Sequence, residues 1–416
     1  MQTVIMAGGK GTRIASLNAE VPKPMLEVCG KPILEHQIEV LKRQKLTDII
    51  LVIGYLGNVI RDYFQDGSKY GVHISYIEEK ELLGTAGSFY YLKDIIQDDF
   101  FLLNGDLIFD VDLHRFMNFH KEKHALATLF THPNNHPYDS GLIIANEDGT
   151  ITKWIHKEEE RGFLRNRVNA GIHIISPMVL ERFTELKKTD LDREVLKPLI
   201  PSGRVYAYDS PEYVKDMGTP ERYRQVEQDL LKGRVRARNL DRKQKCIFLD
   251  RDGTLNVYKG FLTDIEELEL IPGTAEALKC INSSEYLAIV ITNQPVIARG
   301  ECSVQELEEI HNKLETLLGK EGAYIDALYY CPHHPDKGFE GERPEYKIEC
   351  GCRKPKPGML LKAAEDYNID LSQSIMIGDG KNDMEAGKAA GCQTILVDEQ
   401  NTLLSVVKDL REKGLL

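Results

Sequence analysis

The sequence predicts an α/β protein with two domains. Its 416 residues exceed what one hydrophobic core usually organises, so two domains of ordinary size are expected. In both halves, short β-branched runs alternate with longer amphipathic stretches, which is typical of parallel strands joined by helical crossovers. A basic tract that is nearly free of apolar residues separates the two halves.

Short apolar runs mark the predicted strands of both sheets. They are Thr3–Met6, Asp48–Ile53, Phe100–Leu103, Cys246–Leu249, Leu287–Thr292 and Ser374–Ile377. The basic tract, KGRVRARNLDRKQK, fits a solvated linker that is partly helical, and nucleic-acid binding by it is the weaker alternative. We therefore predict domains at 1–232 and 245–416 with a linker at 233–244.

Composition limits the classes of partner. The formal net charge of -12 opposes broad binding to nucleic acid or to an anionic membrane surface. No apolar run approaches the ~18 residues of a membrane span, and the N-terminus lacks the features of a signal peptide. We expect a cytoplasmic protein whose partners are small molecules, and its oligomeric state stays open, with a homo-oligomer possible.

The first candidate site is a glycine-rich loop. In VIMAGGKGTR a strand leads directly into Gly8, Gly9 and Gly11, whose backbone can approach a polyphosphate closely. Thr12 belongs to the same loop and is a further candidate for nucleotide binding, and Lys10 and Arg13 add positive charge. Taken alone, a structural turn explains such a loop equally well.

Five further motifs follow the loop in order. They are Pro22–Lys23–Pro24, LLGTAGS (82–88), LLNGDL (102–107), VNAGIHI (168–174) and KDMGTPERY (215–223). Together with the loop, they resemble the sugar-1-phosphate nucleotidyltransferase family over residues 1–230. The resemblance implies a Rossmann-like, GT-A-like domain in which a sugar 1-phosphate attacks a nucleoside triphosphate and releases pyrophosphate.

The resemblance also assigns roles. Arg13 and Lys23 would neutralise the charge of the reacting phosphates, and Asp106 and Asp216 would bind Mg²⁺. Gly84, Thr85 and Gly87 would line the base and ribose, and Asn169 and Gly171 would meet the sugar. Lys157 is a candidate for the sugar phosphate, although the family often has Glu-Lys where this chain has His156–Lys157. The GTAG loop resembles mannose-type and heptose-type guanylyltransferases, which favours GTP.

The second candidate site is LDRDGTLN (249–256), which follows the strand CIFL. At a strand end, Asp250 and Asp252 bring two carboxylates near one point, with the intervening side chain turned away. This DxDGT motif resembles the opening motif of the haloacid dehalogenase-like phosphatases.

That second resemblance implies a nucleophile, Asp250, and a general acid/base, Asp252. Thr292 and Lys354 would bind the phosphoryl group. Asp250, Asp252 and Asp379 would hold Mg²⁺, with Asp383 in support.

Three cysteines and a histidine form a third cluster. Cys331, His333, Cys350 and Cys352 match the donor set of a closed, structural Zn²⁺ site, and His334 is the rival ligand. With TNQPVIARG (292–300), this loop resembles the heptose-1,7-bisphosphate 7-phosphatase and histidinol-phosphatase branch. The substrate contacts this implies are Asn293, Gln294, Arg299 and Arg353.

The two resemblances fit one reaction sequence. Removing the 7-phosphate of a heptose 1,7-bisphosphate leaves a heptose 1-phosphate, which a nucleotidyltransferase can activate, most simply to GDP-D-glycero-α-D-manno-heptose. Two alternatives stay open at this point: the same chemistries on a hexose 1-phosphate and histidinol phosphate, or an N-terminal sugar-nucleotide sensor that regulates the phosphatase.

Overall fold

A computed structural model describes residues 1–9, 21–338 and 340–416. The chain divides into two compact units. The first comprises 1–132, 143–154 and 169–239, and the second comprises 133–142, 155–168 and 240–416. The first domain expected from the sequence, 1–232, includes both of the short segments that cluster with the second unit.

The strands of the N-terminal half are β1 (Thr3–Met6), β2 (Glu27–Val28), β3 (Lys31–Pro32), β4 (Asp48–Ile53), β5 (His73–Glu78), β6 (Phe100–Asn104), β7 (Leu107–Asp110), β8 (Ala127–His132), β9 (Leu142–Ala145), β10 (Ile151–Ile155), β11 (Val168–Ile175), β12 (Val205–Asp209) and β13 (Tyr213–Asp216). Its α-helices are α1 (Ile33–Arg43), α2 (Gly57–Phe64), α3 (Phe89–Leu92), α4 (Leu113–Glu122), α5 (Pro220–Leu231) and α6 (Arg234–Ala237).

The main sheet of this half is mixed. Its order is β10-β9-β11-β6-β1-β4-β5, with β8 beside β11 and β12 beside β8. The part β6-β1-β4-β5 is parallel, whereas β11 runs antiparallel to β6. The sequence predicted parallel sheets throughout, but a connection as short as the one between β9 and β10 allows only antiparallel pairing. Two apolar clusters cover its faces, one with Ile5 and Leu51, the other with Val4 and Val52.

The C-terminal half forms a parallel sheet of order β16-β15-β14-β17-β18. The strands are β14 (Lys245–Leu249), β15 (Tyr286–Asn293), β16 (Ala327–Cys331), β17 (Ile375–Gly378) and β18 (Gln393–Leu396). The helices are α7 (Thr274–Asn282), α8 (Val304–Lys320), α9 (Gly358–Asp366), α10 (Lys381–Ala390) and α11 (Leu403–Glu412). The predicted α/β class is therefore confirmed in both halves.

The basic tract packs more closely than a solvated linker. Its helix α6 is followed by Arg238, Asn239 and Leu240, all of which are buried. Asn239 donates to Asp110 Oδ1 at 2.6 Å, and Arg234 Nη1 lies 3.1 Å from Asp229 Oδ1. Buried carboxylates of the first unit thus hold residues 234–239 of the tract, whereas 241–243 are exposed.

Within the second unit, helix α8 packs on segment 155–168. Glu315 accepts from Arg167 Nη1 at 3.1 Å and from the backbone N of Asn166 at 3.0 Å. The Glu315 and Arg167 side chains are only 2% and 5% exposed. At the next position of the helix, the Thr316 hydroxyl accepts from the backbone N of Leu164 at 3.0 Å.

In the described part of the chain, no helix is both long enough and apolar enough to cross a lipid bilayer.

Candidate active sites

The glycine loop starts at the carboxyl end of β1. The backbone O of Gly8 accepts from the N of Tyr55 at 3.4 Å, and a Cβ on Gly54 would lie 3.1 Å from that same oxygen. The loop therefore lies close to the residues that follow β4. Lys10, Gly11, Thr12 and Arg13, which the sequence predicts to bind the nucleotide, lie outside the described residues.

Glu79 places a buried carboxylate beside this loop. It follows β5, and a Cβ on Gly8 would lie 3.0 Å from Glu79 Oε2. Glu79 is 8% exposed, and its Oε1 atom has no hydrogen-bond partner among the described residues. Burial raises the pKa of Glu79 to about 7. The sequence analysis missed this residue, although it sits at a strand end like the loop itself.

The predicted magnesium ligands of the first site, Asp106 and Asp216, lie close together. Asp216 ends β13 and is in register with Leu107 of β7, and the N of Met217 donates to the backbone O of Asp106 at 2.9 Å. Lys23 donates to the Asp106 carboxylate, and Arg222 contacts both oxygens of Asp216 at 2.7 Å. Two hard carboxylates, one just before β7 and one at the end of β13, fit the ligands of Mg²⁺.

The predicted sugar contacts, Asn169 and Gly171, lie on β11 beside β6. Asn169 Oδ1 accepts from Gly171 N at 3.2 Å and from His173 Nε2 at 3.0 Å. Burial lowers the pKa of His173 to about 4, so the neutral ring donates to Asn169. Gly171 has a φ of +76°, and a Cβ there would lie 2.4 Å from Asn104 Nδ2. A glycine is thus required where β11 passes the end of β6.

The GTAG loop packs on the chain at 187–191. A Cβ on Gly84 would lie 2.5 Å from the backbone O of Thr189, and one on Gly87 would lie 2.5 Å from the O of Lys187. The Thr85 hydroxyl accepts from the N of Leu191 at 2.7 Å. Close backbone approach therefore explains the small residues of this loop.

Lys157, the candidate contact of the sugar phosphate, is exposed and belongs to the second unit.

The second site lies at the carboxyl ends of β14, β15 and β17. Asp250 directly follows β14, Thr292 lies near the end of β15, and Asp379 directly follows β17. Because neighbouring parallel strands end at the same edge of a sheet, the three side chains converge there. The sequence motifs predicted this arrangement.

Lys354 is the central cation of this site. Its Nζ lies 2.8 Å from Asp250 Oδ1 and 2.5 Å from Asp383 Oδ1, and its side chain is 2% exposed. Burial alone would lower the pKa of Lys354, but Asp250 and Asp383 raise it above its usual value. Burial raises the pKa of Asp250 to about 6 against the opposing charge of Lys354.

Asp250, Asp379 and Asp383 could together hold a metal ion, because their ligand oxygens lie within 4.8 Å of one another. Burial, and then Asp383, raise the pKa of Asp379. Three carboxylates around one lysine leave an excess of negative charge that a hard divalent cation would balance. A Cβ on Gly253 would lie 2.0 Å from Asp379 Oδ2, so glycine is needed at that position.

The carboxylate of Asp252 is not in this group, in contrast to the sequence-based prediction. It accepts from Arg251 Nη2 at 2.7 Å, from Asn256 Nδ2 at 3.0 Å and from Gln294 Nε2 at 2.8 Å. Burial opposes ionisation, but Arg251 and these hydrogen bonds hold the pKa of Asp252 below its usual value. The Arg251 side chain thus turns back to Asp252, whereas the sequence analysis expected it to turn away.

The predicted substrate contacts of the second site make internal bonds in this structure. Asn293 exchanges two hydrogen bonds of 3.0 Å with the backbone of Lys354, and Gln294 also donates to Thr292 Oγ1 at 2.9 Å. Arg299 bonds Glu301 at 2.7 Å, and Arg353 donates to the backbone O of His333 at 3.2 Å. Substrate contact by these four residues stays a prediction.

The cysteine cluster is compact. Cys352 Sγ lies 3.3 Å from Cys331 Sγ and 3.2 Å from Cys350 Sγ, and His333 Nδ1 lies 3.5 Å from Cys352 Sγ. The rival ligand, His334, instead accepts from the N of Asp336 at 3.2 Å. Three sulfurs and one ring nitrogen in mutual contact fit a tetrahedral site for a thiophilic ion.

Comparison with known proteins gives a family match for each half of the chain. The nucleotidyl transferase family model matches residues 2–233, and a HAD-hydrolase-like model matches 351–412. Mannose-1-phosphate guanyltransferase beta-A of Xenopus laevis is 32% identical over 226 residues, which is 53% of this chain and 62% of that protein. The chain thus spans less than two thirds of that relative.

The second half has relatives of its own. D-glycero-beta-D-manno-heptose-1,7-bisphosphate 7-phosphatase of Pasteurella multocida is 44% identical over 156 residues, which is 37% of this chain and 82% of that protein. A solved D,D-heptose 1,7-bisphosphate phosphatase from B. bronchiseptica, complexed with magnesium and phosphate, covers 41% of this chain and 99% of its own, at 30% identity and a TM-score of 0.36. The chain belongs to the nucleotidyl transferase family and, in its C-terminal half, to the family of the Pasteurella phosphatase.

Proposed function

We propose that this chain carries out two consecutive steps on one sugar. Its C-terminal half removes the 7-phosphate of D-glycero-D-manno-heptose 1,7-bisphosphate. Its N-terminal half then transfers GMP from GTP to the heptose 1-phosphate, releasing pyrophosphate and giving GDP-heptose. The observation that carries the proposal is the union, in one chain, of relatives named for heptose bisphosphate hydrolysis and for sugar-1-phosphate guanylyl transfer.

In the phosphatase half, the geometry supports covalent catalysis. Asp250 would attack the 7-phosphate and form an aspartyl-phosphate, while Asp252 protonates the departing sugar oxygen and later activates water. Lys354, 2.8 Å from Asp250, would neutralise phosphoryl oxygens. Asp250, Asp379 and Asp383 would hold Mg²⁺, which offsets the repulsion between a carboxylate and a phosphate dianion.

In the transferase half, the residues would position the two substrates and neutralise the charge of their phosphates. Asp106 and Asp216 would hold Mg²⁺, which balances charge on the triphosphate. Lys23 and Arg13 would contact the reacting phosphates, and Gly8, Gly9, Gly11 and Thr12 would surround the polyphosphate. Asn169, oriented by His173, and Lys157 are the proposed contacts of the sugar phosphate.

Glu79 supports guanine as the base. Guanine presents two adjacent donors, N1–H and the N2 amino group, which a carboxylate can accept together. Glu79 offers a buried acceptor oxygen without a described partner beside the glycine loop. Adenine lacks this pair of donors. The base would thus replace the water that Glu79 loses on burial.

The cysteine cluster would hold a structural Zn²⁺ ion. Cys331, His333, Cys350 and Cys352 supply four ligands, which closes the coordination sphere and leaves no position for substrate. The ion would fix the loop that leads into Arg353 and Lys354.

We also propose the domain limits 1–232 and 245–416 and a cytoplasmic location.

The test uses the full chain with D-glycero-D-manno-heptose 1,7-bisphosphate, Mg²⁺ and each nucleoside triphosphate in turn. We expect phosphate release without nucleotide and pyrophosphate release with GTP. Asp250→Asn should abolish phosphate release and leave pyrophosphate release from heptose 1-phosphate unchanged. Absence of both products in the wild type would refute the function, and loss of both in Asp250→Asn would refute independent sites.

A further inference from the structure

Arg251, the residue between the two aspartates of the second site, is fully buried. Its side chain is 0% exposed, and its guanidinium reaches three groups from different parts of the fold. Nη2 donates to both oxygens of Asp252, at 2.9 and 2.7 Å, and to Gln294 Oε1 at 3.0 Å. Nη1 lies 3.1 Å from Nε2 of His311, on helix α8. A buried guanidinium with these partners has one defined orientation.

His311 acts as the acceptor in this contact. Arginine can only donate, so the facing Nε2 atom must carry a lone pair. Burial, the charge of Arg251 and that of Arg165 hold the pKa of His311 well below its usual range, which keeps the ring neutral. His311 is itself buried, and its ring lies 5.5 Å from that of Tyr330.

Helix α8 is fixed where it carries His311. Glu315 lies one helical turn further along on the same face, where it bonds Arg167 and the backbone of Asn166. Segment 155–168 thus anchors the helix, the helix fixes His311, and His311 holds one end of the guanidinium. The other end of the guanidinium contacts Asp252.

We infer that Arg251 and His311 are positioning residues that hold the carboxylate of Asp252 in the orientation needed for proton transfer to the leaving oxygen. The inference rests on the proposed phosphatase function. Asp252 is the substrate-facing group, while Arg251 and His311 act through it. In the first step the bond from Asp250 to phosphorus forms and the bond from phosphorus to the sugar oxygen breaks. Asp252, which Arg251 holds ionised in the free protein, takes a proton from the substrate's phosphate monoanion and passes it to that oxygen.

Two substrates with different leaving groups distinguish a positioning role of Arg251 from a merely structural one. A sugar alkoxide needs a proton to depart, whereas 4-nitrophenolate departs without one. In Arg251→Met, we expect the first turnover of heptose 1,7-bisphosphate to slow about 100-fold or more. The first-turnover burst of 4-nitrophenolate from 4-nitrophenyl phosphate should stay within about threefold of wild type.

His311 supplies a second pair of variants in case Arg251→Met fails to fold. His311→Phe keeps a ring and removes the acceptor, so it should show the same selective loss. His311→Gln keeps an acceptor and should recover most of the rate. Glu309→Gln, on the exposed face of α8, is the matched control and should behave as wild type.

The outcomes are distinguishable. Equal slowing of both substrates in Arg251→Met and His311→Phe, or a full rate on both, would overturn the positioning role. A wild-type chain that hydrolyses neither substrate would instead refute the proposed phosphatase. Pyrophosphate release from heptose 1-phosphate and GTP should be unchanged in every variant.

Discussion

The two candidate sites differ in how deeply their charged side chains are buried and in how these side chains are paired. In the phosphatase site, Lys354 and Asp383 are 2% and 3% exposed, and three carboxylates crowd around one cation. In the transferase site, Lys23 and Asp106 are 11% and 31% exposed, and each carboxylate faces its own cation. The first is a buried, charge-imbalanced cluster, and the second is a more open set of ion pairs.

The difference follows from the chemistry proposed for each site. A carboxylate that attacks phosphorus must lose its water, and burial of Asp250 does this at the cost of a raised pKa. A transfer between two bound substrates needs orientation and charge balance, which partly exposed groups can supply. We therefore expect the more deeply buried charged groups at the site for which covalent catalysis is proposed.

The largest effect expected from this comparison is that of Lys354→Met. It should lower phosphate release about 100- to 1000-fold, because the cation beside Asp250 is lost. It should also cost about 3–5 kcal/mol of stability, since it leaves Asp250 and Asp383 buried without their partner. Lys23→Met should slow pyrophosphate release but cost at most about 1 kcal/mol, because its pair is partly exposed.

Amide hydrogen exchange in β14 and β17, and separately in β1 and β6, measures the two stability changes in the full chain. If both substitutions destabilise their own sheets equally, burial does not distinguish the sites. Each variant is also its own control for activity. Lys354→Met should retain pyrophosphate release, and Lys23→Met should retain phosphate release.

Cys350→Ser tests a second buried cluster that is not catalytic. We expect loss of most of the bound zinc and a lower stability of the second unit, because a structural ion contributes directly to folding. Cys280→Ser removes a half-buried thiol outside the cluster and should keep the zinc. Metal analysis of the purified chains measures this, and full zinc content in Cys350→Ser would refute the site.

Sequence motifs predicted where several of the candidate residues would lie, for a physical reason. Asp250 and Asp379 directly follow predicted strands, and parallel strands end at one edge of a sheet. Cys350 and Cys352 are neighbours in sequence, so their spacing nearly determines their proximity. Residues whose placement depends on local geometry could therefore be located before the fold was known, and their roles stay predictions.

The residues that sequence analysis missed depend on tertiary contacts. His311 lies within an amphipathic helix, and nothing in its sequence environment marks it as the acceptor for Arg251. Segment 155–168 was assigned to the first domain because chain order was the available guide, whereas packing on α8 groups it with the second unit. Glu79 is one acidic residue among several, and only burial distinguishes it.

The last prediction concerns Glu79→Gln, whose effect is measured as the free energy of unfolding against pH. The folded-state pKa of Glu79, about 7, is raised above the unfolded value of ~4.3, so its contribution is fully present below the unfolded pKa. That contribution is lost as pH rises through about 7. Glutamine does not titrate, so the variant should become the more stable protein at pH 8, by up to about 3 kcal/mol.

Exchange protection of β4 and β5 between pH 4.5 and 8 measures the difference, with the exposed Glu78→Gln as the matched control. GTP provides the decisive comparison. If the ionised Glu79 accepts from guanine, GTP should stabilise the wild type more than Glu79→Gln at pH 8, while ATP should not discriminate between them. If GTP stabilised the wild type and Glu79→Gln equally at pH 8, Glu79 would have no role in base recognition. It would then be a buried carboxylate that destabilises the fold at high pH.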